Sequence, residues 1–311
     1  MRGLSAKTEE LIAYAQKLLE QSNPMTLRQL HYAIFSRGEI EYANDQAAYK
    51  RLSRATTAAR RNYRRCELDA KAYGHESFEA RNAINPKWMV DQTRAPKTVS
   101  CWHDVGEYVD AVKRSYRRNN WERQPYYVEV WSEKATILGS IRPVTERWGV
   151  TTRVLHGFGS AGMEHDAGQL FEHRDSEKLI AVFFLGDHDP SGRVIEQDIH
   201  RRVEAAGVPF DLTRLAIHAE DIADFNLPPQ KIKATDSRAA GFRRTYGDEA
   251  ATVELDALPP DELRRRIDVA IGQLVDHEQW QRDLAVQELE YTTIADIVGR
   301  VKDAMPERGL G

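Results

Sequence analysis

The 311-residue sequence predicts an α/β chain in two parts: a basic, helical, helix-turn-helix N-terminal unit, then a Rossmann-like unit on a mostly parallel sheet. Three observations carry this prediction. Strand-like and helix-like segments alternate from Tyr126 to His218. The run Leu179 to Leu185 (LIAVFFL) is apolar at every position, as a strand covered by helices on both faces must be. The segment from Gln46 to Arg65 reads as a helix carrying Lys50, Arg51, Arg54, Arg60, Arg61, Arg64 and Arg65 with no acid among them.

Composition narrows the class. Hydrophobic residues make up 41% and charged residues 30%, ordinary for a chain with a real core. The net charge of −4 does not mark a nucleic-acid binder, so the placement of the cations carries that reading. The two cysteines, Cys66 and Cys101, form no CxxC pair and have no histidine at zinc-ligand spacing. A disulfide framework is not expected, and a reducing cytoplasm is. The N-terminus lacks a signal-peptide core, and no stretch approaches the ~20 apolar residues of a membrane span. The expectation is a soluble cytoplasmic protein with no membrane partner.

In order along the chain, Leu11, Ile12, Ala15, Leu18 and Leu19 recur at helical spacing, and Asn23-Pro24 breaks that helix. Thr26 is a good N-cap for a second helix to Ser36, with Gly38 just past its end. The basic third helix completes a helix-turn-helix pattern, with Lys50, Arg51, Arg54, Arg61, Arg64 and Arg65 as the expected DNA contacts; a solvated basic face is the plainer alternative. This unit is placed at residues 1–95 and a linker at 96–124. A second basic patch (Lys113, Arg114, Arg117, Arg118) either extends a DNA surface or is an exposed helix face.

The α/β core is placed at residues 125–220, with strands at Tyr126–Trp131, Thr151–Leu155, Leu179–Leu185 and Leu212–His218. Helices are expected at Lys134–Trp148, Met163–His173 and Arg193–Ala206. Residues 221–311 form a mainly helical extension, with helices near Asp261–Leu274 and Thr293–Met305.

In an open α/β sheet, functional groups gather beyond the carboxyl ends of the strands. Glu133 follows the first strand, and Asp187 and Asp189 follow the central one in the segment GDHDPSG. Carboxylates gathered this way repel one another unless a hard cation joins them, which predicts magnesium, with manganese as a substitute. Singly, each has a plainer reading: Pro190 and Gly192 suit a turn, and Glu133 suits a helix start. Lys134, Lys233 and Arg238 are candidate phosphate contacts, and GFGSAG (157–162) a candidate phosphate cradle. His188, between the aspartates, faces away from them if the segment is extended.

The segment from Tyr126 to Ile217 resembles a Toprim domain. The likeness rests on Glu133 in VWSEKA, on Asp187-His188-Asp189, and on Pro190-Ser191-Gly192. It implies that Glu133 assists acid–base chemistry or binds metal, and that Asp187 and Asp189 bind magnesium. A winged-helix-like module followed by Toprim resembles the A subunit of topoisomerase VI and the related transesterase family that initiates meiotic recombination. TLRQLHYAI supplies Arg28 and Tyr32 at that family's Arg-x-x-x-Tyr positions, and VELDAL resembles its Glu-Leu-x-Ala-Leu segment, with Glu254 as the matching acid. GFGSAG lacks the family's lysine and proline, and Leu227–Phe242 has no counterpart. The resemblance implies DNA as partner, a homodimer, and a separate ATPase for any strand passage.

Two mechanisms follow from the resemblance. In one, Tyr32 attacks a DNA phosphodiester, Arg28 steadies the charge and Glu133 protonates the leaving oxygen, the tyrosine and the metal meeting across a dimer. In the other, water attacks and Tyr32 is dispensable, as in Toprim nucleases of prokaryotic defence. A non-catalytic DNA-binding or assembly role is the reading from another class. The residues alone leave Tyr32 open, because it falls at the side of the stripe made by Leu27, Leu30, Ile34 and Phe35, where an aromatic can simply pack.

Overall fold

A computed structural model describes residues 4–75, 80–90, 99–155, 177–205, 209–232 and 236–304. In the N-terminal unit, α1 (Ala6–Gln21) buries Leu11, Ile12, Ala15, Leu18 and Leu19 along one stripe. α2 (Leu27–Arg37) starts at a capping box between Thr26 and Gln29 and stops at Gly38, whose φ of 62° is left-handed. α3 (Gln46–Ala72) starts on the Asp45 side chain and runs past the expected end at Arg65, because CELDAKA contains no breaker. Its inward face of Ala48, Leu52, Ala55, Thr56 and Ala59 is mostly small, so α3 packs closely on α1 and α2. Among the described residues of this unit, β pairing is limited to an isolated bridge between Met25 and Met89.

The stretch read as a linker contains α4 (Val105–Ser115), started by Asp104. α4 packs on the last helix, and three residues of the second basic patch, on α4 or just past its end, are engaged. Arg118 pairs with Glu290, Arg117 donates to the Glu146 carbonyl, and Lys113 lies 5.3 Å from the centre of the Tyr291 ring.

The sheet is all parallel, with order β2-β1-β3-β4, formed by β1 (Tyr126–Ser132), β2 (Thr151–Val154), β3 (Leu179–Leu185) and β4 (Phe210–Ala216). Side chains of β3 alternate between two apolar clusters. Ala181, Phe183 and Leu185 join the cluster under α5 (Ala135–Trp148) and α9 (Pro260–Gly272), while Ile180, Val182 and Phe184 join the one under α6 (Pro190–Ala205). A strand buried on both faces explains the unbroken apolar run. Two short helices, α7 (Asp221–Asp224) and α8 (Ala239–Tyr246), follow β4. The final helix, α10 (His277–Asp303), begins sixteen residues before the expected Thr293; its start is set by Asp276, whose side chain accepts from Glu278 and Gln279 N–H. No helix among the described residues is long and apolar enough to cross a membrane.

The N-terminal helices dock onto the sheet unit of the same chain. Arg264 of α9 donates to the carbonyls of Ser140 (2.8 Å) and Pro24 (3.3 Å), Gln29 donates to Ser140 (3.1 Å), and Asn226 donates to the Ser36 carbonyl (3.0 Å). Tyr32 leaves the N-terminal core altogether and is buried in the cluster beneath β1 and β3.

Candidate active site

Glu133 extends β1 by one residue, donating its N–H to the Leu185 carbonyl at 2.9 Å. That pairing puts its side chain over the turn leaving β3, where Oε2 accepts the Asp187 N–H at 3.1 Å. The approach explains two glycines. A Cβ on Gly192 would lie 2.3 Å from the Asp187 carbonyl oxygen and 3.2 Å from Glu133 Oε2, and one on Gly186 would strike the Phe184 ring at 2.6 Å. Asp189 accepts the Gly192 N–H at 2.6 Å and so caps the first turn of α6. The Asp-x-Asp-Pro-x-Gly spacing is thus a helix start and a close backbone approach at once.

A later segment completes the site. The backbones of His188 and Val253 pair antiparallel, each donating to the other at 2.9 Å. This lays VELDA beside the acidic turn, where the Leu255 N–H reaches Asp187 Oδ1 at 2.7 Å. Lys134 sits among the carboxylates: its Nζ is 2.9 Å from Asp187 and 3.4 Å from both Glu254 and Asp256. Arg28 of α2 forms an ion pair with Glu254, so the N-terminal unit contributes directly.

The electrostatics follow from burial and crowding. Burial, then Asp187 and Asp189, push the Glu133 carboxyl up to about 7. Burial likewise holds Asp187 above the usual carboxylate range, against the pull of Lys134. For Lys134, burial is the largest single influence and would discharge it, but Asp187, Asp256 and Glu254 together raise it above an ordinary lysine. Burial and the nearby Glu254 push the Tyr32 hydroxyl up to about 12. His188 is 2% exposed, its ring against Phe242 and Tyr246, and burial followed by Arg214 and Arg193 pushes it down to about 4. With that depressed value the imidazole is neutral at neutral pH.

Of the residues singled out in the sequence, Asp187, Asp189, Arg28, Glu254, Lys134 and Arg238 line one cleft of about 620 Å³, and Glu133 joins its acidic turn through the Asp187 N–H. Lys134 contacts carboxylates rather than standing free, and Arg238 pairs with Asp236 at 2.9 Å. Lys50, Arg51, Arg54, Arg61, Arg64 and Arg65 lie exposed on α3, with no carboxylate partner among the described residues. Lys233 and the GFGSAG loop lie outside the described residues.

Two residues were missed. Asp256 is 2% exposed and lies two positions after Glu254, in the 3-10 turn Leu255–Ala257. Arg214 sits inside β4, where its guanidinium donates to the carbonyls of Gly186 (3.0 Å), Asp187 (3.3 Å), Gly192 (3.1 Å), Ala216 (3.2 Å) and Ile217 (3.3 Å), and to Glu196 (2.8 Å). It ties the acidic turn to the neighbouring strand end. The available signal was an arginine inside a strand otherwise read as core.

No protein-family model matches the chain, and no curated protein matches it in sequence. Among the described residues, no group of three or more His, Cys, Asp or Glu side chains is arranged as a ready-made metal cage. The donor chemistry of Glu133, Asp187 and Asp189 nevertheless suits a hard divalent cation: all are carboxylates, and burial together with Asp187 and Asp189 raises Glu133. Lys134 supplies the balancing positive charge at Asp187.

Proposed function

We propose that this chain cleaves DNA phosphodiesters with the help of magnesium or manganese, with Asp187 and Asp189 as cation ligands and Glu133 as acid–base group or third ligand. The observation that carries the reading is the convergence of Glu133, Asp187 and Asp189 at the carboxyl ends of two neighbouring parallel strands, with Asp187 and Asp189 lining a cleft shared with Arg28 and Lys134. The strand order of the acids supports a Toprim-like core, and the Arg28–Glu254 contact supports kinship with topoisomerase VI A-like chains.

A bound divalent cation supplies charge neutralisation for displacement at phosphorus. The chain's own groups would do the rest. Arg28 and Lys134 attract and orient the phosphodiester, and Glu133, near 7, holds a proton it can give to the leaving 3′ oxygen at neutral pH. Water is the favoured nucleophile: Tyr32 is 5% exposed, and its hydroxyl is harder to ionise than a free tyrosine. A tyrosine route requires α2 to lift from Glu254 before Tyr32 meets the substrate.

The test is incubation of supercoiled plasmid with magnesium or manganese, comparing wild type, Asp187→Ala and Tyr32→Phe after proteinase digestion. Nicking or linearisation lost in Asp187→Ala and kept in Tyr32→Phe supports hydrolysis. Protein attached to the DNA ends, lost in Tyr32→Phe, would replace water by the tyrosine. No cleavage by wild type with either metal would sink the proposal.

A further inference from the structure

Arg28 and Lys134 have a second side. Behind them lies another cavity of about 730 Å³, bounded by the first turns of α2 and α5 and by a face of α3 beside the one packed on α1 and α2. From α3 it is lined by Ser53, Thr57 and Arg60, which share one helix face at spacings of four and three. The exposed cations Lys50, Arg51, Arg54, Arg61, Arg64 and Arg65 continue the positive surface along the same helix, with Arg64 four residues beyond Arg60 on the same face.

Arg60 is half-buried, and its contacts stay within its own helix: Nε to the Thr56 carbonyl at 3.4 Å and a terminal nitrogen to Thr57 Oγ1 at 3.5 Å. Both are long, and no carboxylate pairs with it among the described residues. A guanidinium withdrawn from water this far is ordinarily matched by an anion. Around it stand Arg28 and Lys134, the hydroxyls of Ser53 and Thr57, and the start of α5, which has no side-chain cap. Asp256 is the acid of this lining, and its Oδ2 is engaged by Lys134, which offsets its charge.

We propose that this cavity is a phosphate subsite, and that Arg60 binds a backbone phosphate of a DNA strand running from the acidic cleft past Arg28 and Lys134 onto α3. The inference rests on the DNA reading above and names where the strand leaves the cleavage centre. Arg28 and Lys134 line both cavities, so one chain of phosphates can be in contact with both.

The experiment is fluorescence anisotropy of a labelled single-stranded oligonucleotide with the full chain in EDTA, so that binding is read without cleavage. Wild type, Arg60→Gln, Thr57→Glu and the remote control Arg282→Gln on α10 are compared across salt. Arg60→Gln is expected to weaken binding about fivefold or more and to lower the salt slope by about 0.7, one single-strand phosphate contact. Thr57→Glu, which puts a carboxylate into the cavity, should weaken it comparably, and Arg282→Gln less than about twofold. Inorganic phosphate should compete for wild type far more weakly than the oligonucleotide. Wild-type affinity in both Arg60→Gln and Thr57→Glu overturns the subsite, as does an equal loss in Arg282→Gln or no binding by wild type. Plasmid cleavage by the same variants is scored separately: a wild type that binds through Arg60 but never cleaves defeats the nuclease reading and leaves the subsite standing.

Discussion

The ammonium of Lys134 lies 2.9 Å from Oδ1 of Asp187, the same oxygen that accepts the Leu255 N–H. A cation is therefore already built into the acidic turn, supplied by the residue that starts α5. A lysine at a helix start opposes the helix dipole, and here Asp187, Glu254 and Asp256 outweigh that cost.

Lys134→Met should leave those carboxylates without their counter-charge and destabilise the fold by about 3 kcal/mol, the scale of breaking a buried pair. Magnesium should recover part of that loss. Thermal unfolding with and without magnesium checks this; a variant as stable as wild type without metal would show that Lys134 is not the balancing charge.

Arg214 holds the turn from the other side. Arg214→Met should cost about 3–5 kcal/mol, because several strand-end carbonyls and Glu196 lose their shared donor in a buried setting. Urea unfolding measures the loss. In partly stabilised preparations the same variant should weaken metal binding more than DNA binding, since it acts on the Asp187 backbone; equal effects on both would point to general unfolding.

His188 predicts a pH dependence of stability. Its ordinary value is 6.5, and in the fold it is pushed down to about 4. A depressed group contributes stability that is complete above its unfolded value and lost as pH falls through the folded value. Wild type should therefore lose up to about 3 kcal/mol between pH 6.5 and pH 4 through this residue, a loss that His188→Gln lacks. Urea midpoints at pH 7 and pH 4.5 for both proteins test it; parallel decline in the two would assign the acid sensitivity elsewhere.

Tyr32 separates packing from chemistry. Tyr32→Ala should cost about 3–5 kcal/mol, as for a large buried aromatic, whereas Tyr32→Phe should cost little and leave cleavage within about twofold. A Tyr32→Phe protein that folds normally and has lost cleavage would restore the tyrosine as nucleophile.

The elements that were legible in sequence are those whose pattern is local. LIAVFFL declared a strand buried on both faces, Thr26 and Gly38 bracketed α2, and strand-end acids marked the cleft. What stayed hidden depends on partners distant in the chain. α4 looks like a polar linker because its apolar and charged faces are matched by α10. The early start of α10 was obscured because its apolar residues are sparse and its buried positions include Asp283, paired with Arg123. Tyr32 read as lying at the side of the α2 apolar stripe, open between packing and chemistry, and the docking of α2 onto the 254–257 segment buries it in the sheet core. Arg214 could be seen as an oddity in a strand, but the carbonyls that justify it come from the turn leaving β3, the first turn of α6 and the end of β4.

The most direct test is titration of manganese into the wild-type chain, followed by electron paramagnetic resonance, alongside Asp187→Asn, Asp189→Asn and the sheet-edge control Asp211→Asn. Saturable binding by wild type and Asp211→Asn that weakens at least about tenfold in the two cleft variants is the predicted result. Equal binding by all four proteins, or none by any, would contradict a divalent-cation centre at Glu133, Asp187 and Asp189.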